Sequence, residues 1–224
     1  MFKDKQSKLY MWLSAAFVTF LLMAELTGSK LISFLGFTLT LGVIPFPVTF
    51  LITDTLNEFY GKKAVKHTTF LGMIMILIAY AIIVIDLKIP AVSDSPVDDA
   101  SFIRVFANSG LVIIGSIVAY VIGQMIDINV FHYLRMKTKN KHIWLRATGS
   151  TIISQLIDSY VVIFIAFGKT LPFEKLISIA STNFFYKLLV AISLTPIIYL
   201  LHSIIANYLG SELLELEKER DKEQ

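Results

Sequence analysis

Asp54, Asn57, Glu58 and Gly61 share one face of a helix, because residues three, four and seven apart stack along it. The stretch that holds them (residues 46–63, FPVTFLITDTLNEFYGKK) is otherwise fit for lipid. An ionisable side chain in hydrocarbon costs roughly 2.5–3.5 kcal/mol on insertion scales, so such a face must meet other helices, water or a ligand. The pattern recurs. Gln124 and Asp127 share a face with Tyr120 and Phe131, Gln155 and Asp158 follow Thr151 and Ser154, and Asn183 stands four residues before Lys187. Glu25, four residues before Ser29, completes the set of candidate site residues.

The chemistry open to this set is recognition. Carboxylates and amide oxygens accept hydrogen bonds, while amide NH₂ groups and Lys187 donate. With acids outnumbering the single buried base, the set suits a cation, or a small polar heterocycle with several N–H groups and a carbonyl. It suits a phosphate badly. The chain has no cysteine, which excludes thiolate metal sites and cysteine nucleophiles. It also has no glycine-rich phosphate loop, no HExxH and no serine–histidine triad. His67, His132 and His142 fall at the cytoplasmic edge and His202 stands apart. The expectation is a protein with no metal, no cofactor and no enzymatic activity. Packing offers a plainer account of each group alone: Lys187 as counter-ion to an acid, and Gln124, Gln155 and Asn183 as helix cross-links contributing about 0.6–2 kcal/mol each.

Of 224 residues, 55% are apolar and 17% charged. Soluble domains carry about 25% charged residues, so composition places the chain in the membrane class. The fold class expected is an all-α membrane protein, a bundle of six transmembrane helices with both termini cytoplasmic. Helices are expected over about residues 9–29, 44–60, 68–85, 102–134, 147–167 and 176–205. Residues 31–42 are too short to span and read as an extended or re-entrant segment between helices 1 and 2. Pro45 and Pro47 fit the first turn of the second helix, where a missing N–H costs least. The first apolar stretch lacks a small-residue cleavage site and reads as a retained span. In domain terms, residues 1–8 are a cytoplasmic amino terminus, 9–206 a single six-helix transmembrane domain, and 207–224 a charged cytoplasmic tail.

Charge sets the orientation. Fourteen of the twenty lysines and arginines lie in the amino terminus, the loops at 61–67 and 135–146, and the tail. Excess basic residues stay cytoplasmic. The loop at 135–146 is a topology determinant facing anionic lipid, not a nucleic-acid site. Asp94, Asp98 and Asp99 read as a solvated loop on the opposite side. At about 1.5 Å per residue, Asp54 and Asp127 each lie roughly 12 Å from the cytoplasmic boundary. Asp158 and Lys187 lie about 15 Å in, near the middle of a core about 30 Å thick. Glu25 falls off that level toward the outside, and Glu58 toward the cytoplasm. Polar groups gathered at the midplane are how transporters hold a substrate.

The stretch at 46–63 resembles the signature of the queuosine-precursor transporters, within the vitamin uptake transporter family. Residues 123–135 (GQMIDINVFHYLR), 149–167 (GSTIISQLIDSYVVIFIAF) and 185–192 (FYKLLVAI) are similar to later blocks of that family, in the same order. The likeness covers about residues 9–206. It implies a multi-pass protein of the bacterial inner membrane importing 7-deazaguanine bases, the 7-cyano and 7-aminomethyl precursors of queuosine in tRNA. By matching motif, it implies site roles for Asp54, Glu58, Gln124, Asp127, Gln155, Asp158 and Lys187. The chain departs from the pattern in carrying Glu25 and Ser29 where many members place asparagines. The partners implied are a nucleobase analogue and the lipid bilayer, with no nucleic acid; a homodimer and proton coupling are both compatible with the sequence. The alternative is a substrate-capture subunit for a small heterocycle or vitamin that works only with an ATPase partner.

Overall fold

The computed structural model describes residues 4–137, 143–214 and 216, and most of them are helical. The elements in order are α1 (Lys5–Thr27), β1 (Leu31–Phe34), β2 (Phe37–Thr40), a 3-10 turn (Leu41–Val43), α2 (Phe46–Asp86), α3 (Asp99–Lys137), α4 (Ile143–Phe167) and α5 (Phe173–Leu209). Four stretches among the described residues are long and apolar enough to cross a membrane: Lys5–Thr27, Lys63–Asp86, Asp99–Tyr120 and Phe173–Leu194. A shorter apolar stretch runs over Gln155–Phe167. A helix suits such sequences because it satisfies its own backbone polar groups where no water can.

One connection differs from the sequence reading and another takes the extended form. Residues 61–67 form no loop: α2 is helical on both sides of Gly61, whose φ of 77° and ψ of 178° break it into two arms. That conformation is essentially open to glycine alone. The segment expected to be extended or re-entrant is an antiparallel hairpin, with Leu31 opposite Thr40 and Phe34 opposite Phe37. Leu35 and Gly36 form its two-residue turn at φ 51° and 82°, as a type I′ turn requires. The hairpin closes through Leu41 N–H donating to Lys30 O at 2.8 Å.

The chain folds as two compact units. The first comprises Met1–Ala24, Ile44–Ala79 and Leu189–Gln224. Here α1 packs against both arms of α2. Phe17 meets Ile52 and Leu56 of the first arm, which runs antiparallel to α1. Buried Thr68, at the start of the second arm, meets the hydroxyls of Tyr10 and Ser14 at 3.1 Å each. Further along, Gly72 faces Phe17 and Leu21, so this arm runs parallel to α1. The end of α5 joins the same unit: Ile205, Leu209 and Leu216 cluster with Phe59. Lys5 Nζ donates to Tyr208 O at 2.9 Å, and Lys5 N–H to Glu212 Oε2 at 2.8 Å.

The second unit comprises Glu25–Val43 and Tyr80–Leu188. Val112 of α3, Ile163, Ala166 and Phe167 of α4, and Leu176, Ile179 and Ala180 of α5 form its core. α3 and α4 approach closely at Gly115, where an added Cβ would stand 3.2 Å from both the Cα and the carbonyl oxygen of Val162. Small residues at such crossings are how membrane helices gain packing without help from water. The acidic loop before α3 does more than meet solvent. Asp98 Oδ1 accepts the Ser101 N–H at 2.6 Å, capping α3, and Asp99 Oδ1 accepts the Ala91 N–H at 2.8 Å. The bond from Ser101 holds the Asp98 carboxyl below its usual range.

Gly61→Ala is expected to destabilise the protein by about 1–3 kcal/mol, the cost of a Cβ in a glycine-only region. The check is the thermal midpoint in detergent, which should fall; an unchanged midpoint would mean that the break in α2 does not depend on glycine.

Candidate functional site

The second unit gathers ionisable groups from three helices. Lys187 Nζ of α5 donates to Asp158 Oδ2 of α4 at 2.7 Å, with the lysine 16% and the aspartate 29% exposed. Glu25, near the end of α1 and only 8% exposed, accepts the Ser116 hydroxyl of α3 at 2.8 Å. It also lies within electrostatic reach of both Asp158 and Lys187. The ammonium is thus bonded to one carboxylate and lies in the field of a second carboxyl group, which a hydroxyl steadies. At low dielectric such interactions are strong, and an unmatched charge is correspondingly costly.

Sequence placed each of these groups for a local reason. Asp158 and Tyr160 lie in the apolar second half of α4, and Tyr160 meets Ser181 of α5 across 2.7 Å. Asn183 stands one turn before Lys187 and is 4% exposed. Its Nδ2 donates to Thr40 Oγ1 at 3.2 Å and its Oδ1 accepts the Thr40 N–H at 3.3 Å. The same helix face therefore anchors the hairpin with Asn183 and pairs an acid with Lys187. On α3, Ser109 and Ser116 lie seven residues apart, two turns along one face. Ser109 donates to Leu26 O at 2.8 Å and meets Ser29 at 3.3 Å. With Ser116 on Glu25, the pair fastens the end of α1 to α3.

One turn before Asp158, Gln155 Oε1 is buried with no partner among the described residues, and so is Ser159 Oγ. Leaving a buried polar atom unsatisfied costs about 1–3 kcal/mol. Gln155 presents an acceptor beside the charged set where a ligand N–H would satisfy it.

The candidate residues divide between the two units. Glu25, Asp158 and Lys187 are brought together; Gln155 and Asn183 lie one helical turn from Asp158 and Lys187 respectively. Glu25 joins this group although its sequence depth put it toward the outside. Asp54 and Glu58 belong to the first unit. Asp54 is half-buried, and exposed Glu58 lies 3.9 Å from His202 Nε2, whose ring stacks on Phe59. Gln124 and Asp127 lie on the backbone of α3, with side chains outside the described residues. Ser116, Ser109, Thr40 and the Tyr160–Ser181 pair were not picked out by sequence. The seven-residue spacing of the two serines on an apolar helix was the signal available.

The first unit also holds a cavity of about 990 Å³ between α1 and the second arm of α2. None of the candidate residues lines it.

The sequence profile of the family described as putative vitamin uptake transporters matches residues 40–201. The chain is 28% identical over 201 residues to a protein of Bacillus subtilis (strain 168) named "Probable queuosine precursor transporter", covering 89% of this chain and 85% of that one. It is 27% identical over 194 residues to the "Queuosine precursor transporter" of Escherichia coli (strain K12), covering 85% and 84%. A third relative, from Haemophilus influenzae, is 26% identical over 209 residues, covering 91% of this chain and 83% of the relative, and is named a "Probable queuosine precursor transporter". No solved structure matches the chain.

A double-mutant cycle of Asp158→Asn and Lys187→Gln is expected to give a coupling of about 0.5–3 kcal/mol, as for residues in direct contact. The midpoints of unfolding in detergent supply the measurement. Strictly additive losses would show that the two side chains act independently.

Proposed function

From the premise that this chain belongs to the vitamin uptake transporter family, a transporter rather than an enzyme, we propose that it imports queuosine precursors. The cargo is 7-cyano-7-deazaguanine, 7-aminomethyl-7-deazaguanine or both. The observation that carries this reading is the clustered set of Glu25, Asp158 and Lys187, with Gln155 Oε1 one turn away and without a partner among the described residues. A guanine-like ring offers N1–H and an exocyclic amine side by side, a pair that one carboxylate accepts bidentately. Its carbonyl suits a lysine or amide donor. The set holds one acid more than base, which favours the aminomethyl base, whose side chain is a cation. A buried acid is also available to carry a proton during import.

The membrane arrangement that goes with this reading counts the two arms of α2 as separate spans, giving six helices with both termini in the cytoplasm. The bonds of Lys5 to Tyr208 and Glu212 support a single side for both termini, and the lysine-rich ends support the cytoplasmic one. The inner membrane is the location that such cargo requires, because tRNA is modified in the cytoplasm. Asp54, Glu58, Gln124 and Asp127 are carried as further candidates for the cargo's path.

The test uses cells that cannot make the precursor, supplied with low external base, and reads queuosine in tRNA. The wild-type chain, expressed without any ATPase partner, should restore it. Glu25→Gln and Lys187→Ala should each reduce the yield about tenfold or more, the consequence of leaving a buried polar group unmatched. Failure of the wild type, or full rescue by both variants, would contradict the reading.

A further inference from the structure

The cavity in the first unit has a polarity gradient that no role in cargo binding explains. It is bounded by parallel helices, and its lining runs from Gln6 to Val18 on α1 and from Lys63 to Met75 on α2. Both runs cover the same length in the same direction, because Tyr60 bonds Gln6 at one end and Gly72 faces Phe17 and Leu21 toward the other. At its start the lining carries the polar and basic groups Gln6, Ser7, Lys63 and His67, with Tyr60 and Leu216 beside them. At its far end it is Ala15, Val18, Leu71 and Met75.

Length decides what such a groove can hold. From Lys63 to Met75 the helix rises about 18 Å, close to the roughly 15 Å of hydrocarbon in one leaflet. The basic end also falls among exposed Lys5, Lys8 and Lys66. Basic pockets between membrane helices take anionic headgroups, and clustered lysines at helix ends draw acidic lipid. A nucleobase would leave most of the apolar wall bare. We propose that this groove is a binding site for one anionic phospholipid, with the phosphate at Lys63 and His67 and an acyl chain along Ala15, Val18, Leu71 and Met75. The site shares no residue with the charged set of the second unit and does not depend on the identity of the cargo.

The experiment reconstitutes the full chain in nanodiscs of equal phosphatidylglycerol and phosphatidylethanolamine, then counts retained lipids by native mass spectrometry after transfer to mild detergent. The wild type should keep phosphatidylglycerol in preference. Lys63→Ala with His67→Ala should lower that preference about fivefold or more, the worth of the one lysine removed. Ala15→Trp leaves every charge in place but fills the apolar end, and should lower retention of phosphatidylglycerol as well. An absence of preference in the wild type would overturn the assignment. So would a preference that survives both sets of substitutions, which would assign it to surface lysines, or displacement of the lipid by added 7-deazaguanine base.

Discussion

A charge taken into hydrocarbon must be matched where it lies, and the contact between Lys187 and Asp158 is where this chain meets that requirement. At 2.7 Å the pair ties α5 to α4. Glu25 brings α1 into its field, and Ser116 brings α3. Four helices are thereby held by groups that could not face lipid singly. Removing one partner would strand another, because the attraction that makes a buried pair tolerable is lost while the desolvation cost remains.

The surrounding packing lets those helices come close enough. Gly115 admits the backbone of Val162 between α3 and α4. Ser109 and Ser116 occupy two turns of the same α3 face and spend their hydroxyls on the end of α1. Asn183 uses both atoms of its amide on Thr40, which fixes the hairpin against α5. Ser109, Ser116 and Asn183 thus spend their polar groups on joining elements. Gln155 Oε1 and Ser159 Oγ are buried without a partner among the described residues, and both side chains flank Asp158 on α4.

Helices were legible in the sequence because hydrophobic runs of span length leave few other choices. Helix ends were less so. The basic stretch at 135–146 read as a loop, yet α3 runs to Lys137 and α4 starts at Ile143, since lysine and arginine are good helix formers. Residues 61–67 read as a loop on charge alone, while the break is confined to one glycine conformation. At the site, pairing of Lys187 with an acid was readable from depth along the helices. The place of Glu25 was not, because depth counted from the end of α1 says nothing about which part of α3 will meet it. Asn183 could not be separated from a ligand group by sequence either, since an amide that holds a hairpin and one that holds a base look the same.

The family makes the chain a transporter, and the charged set is the place proposed for its cargo. The most direct measurement is a structure determined with 7-aminomethyl-7-deazaguanine bound. The base should lie in the second unit, with N–H groups on Glu25 or Asp158 and on Gln155 Oε1. A base seated in the groove of α1 and α2, with the Asp158–Lys187 pair undisturbed and Gln155 still unsatisfied, would contradict the account.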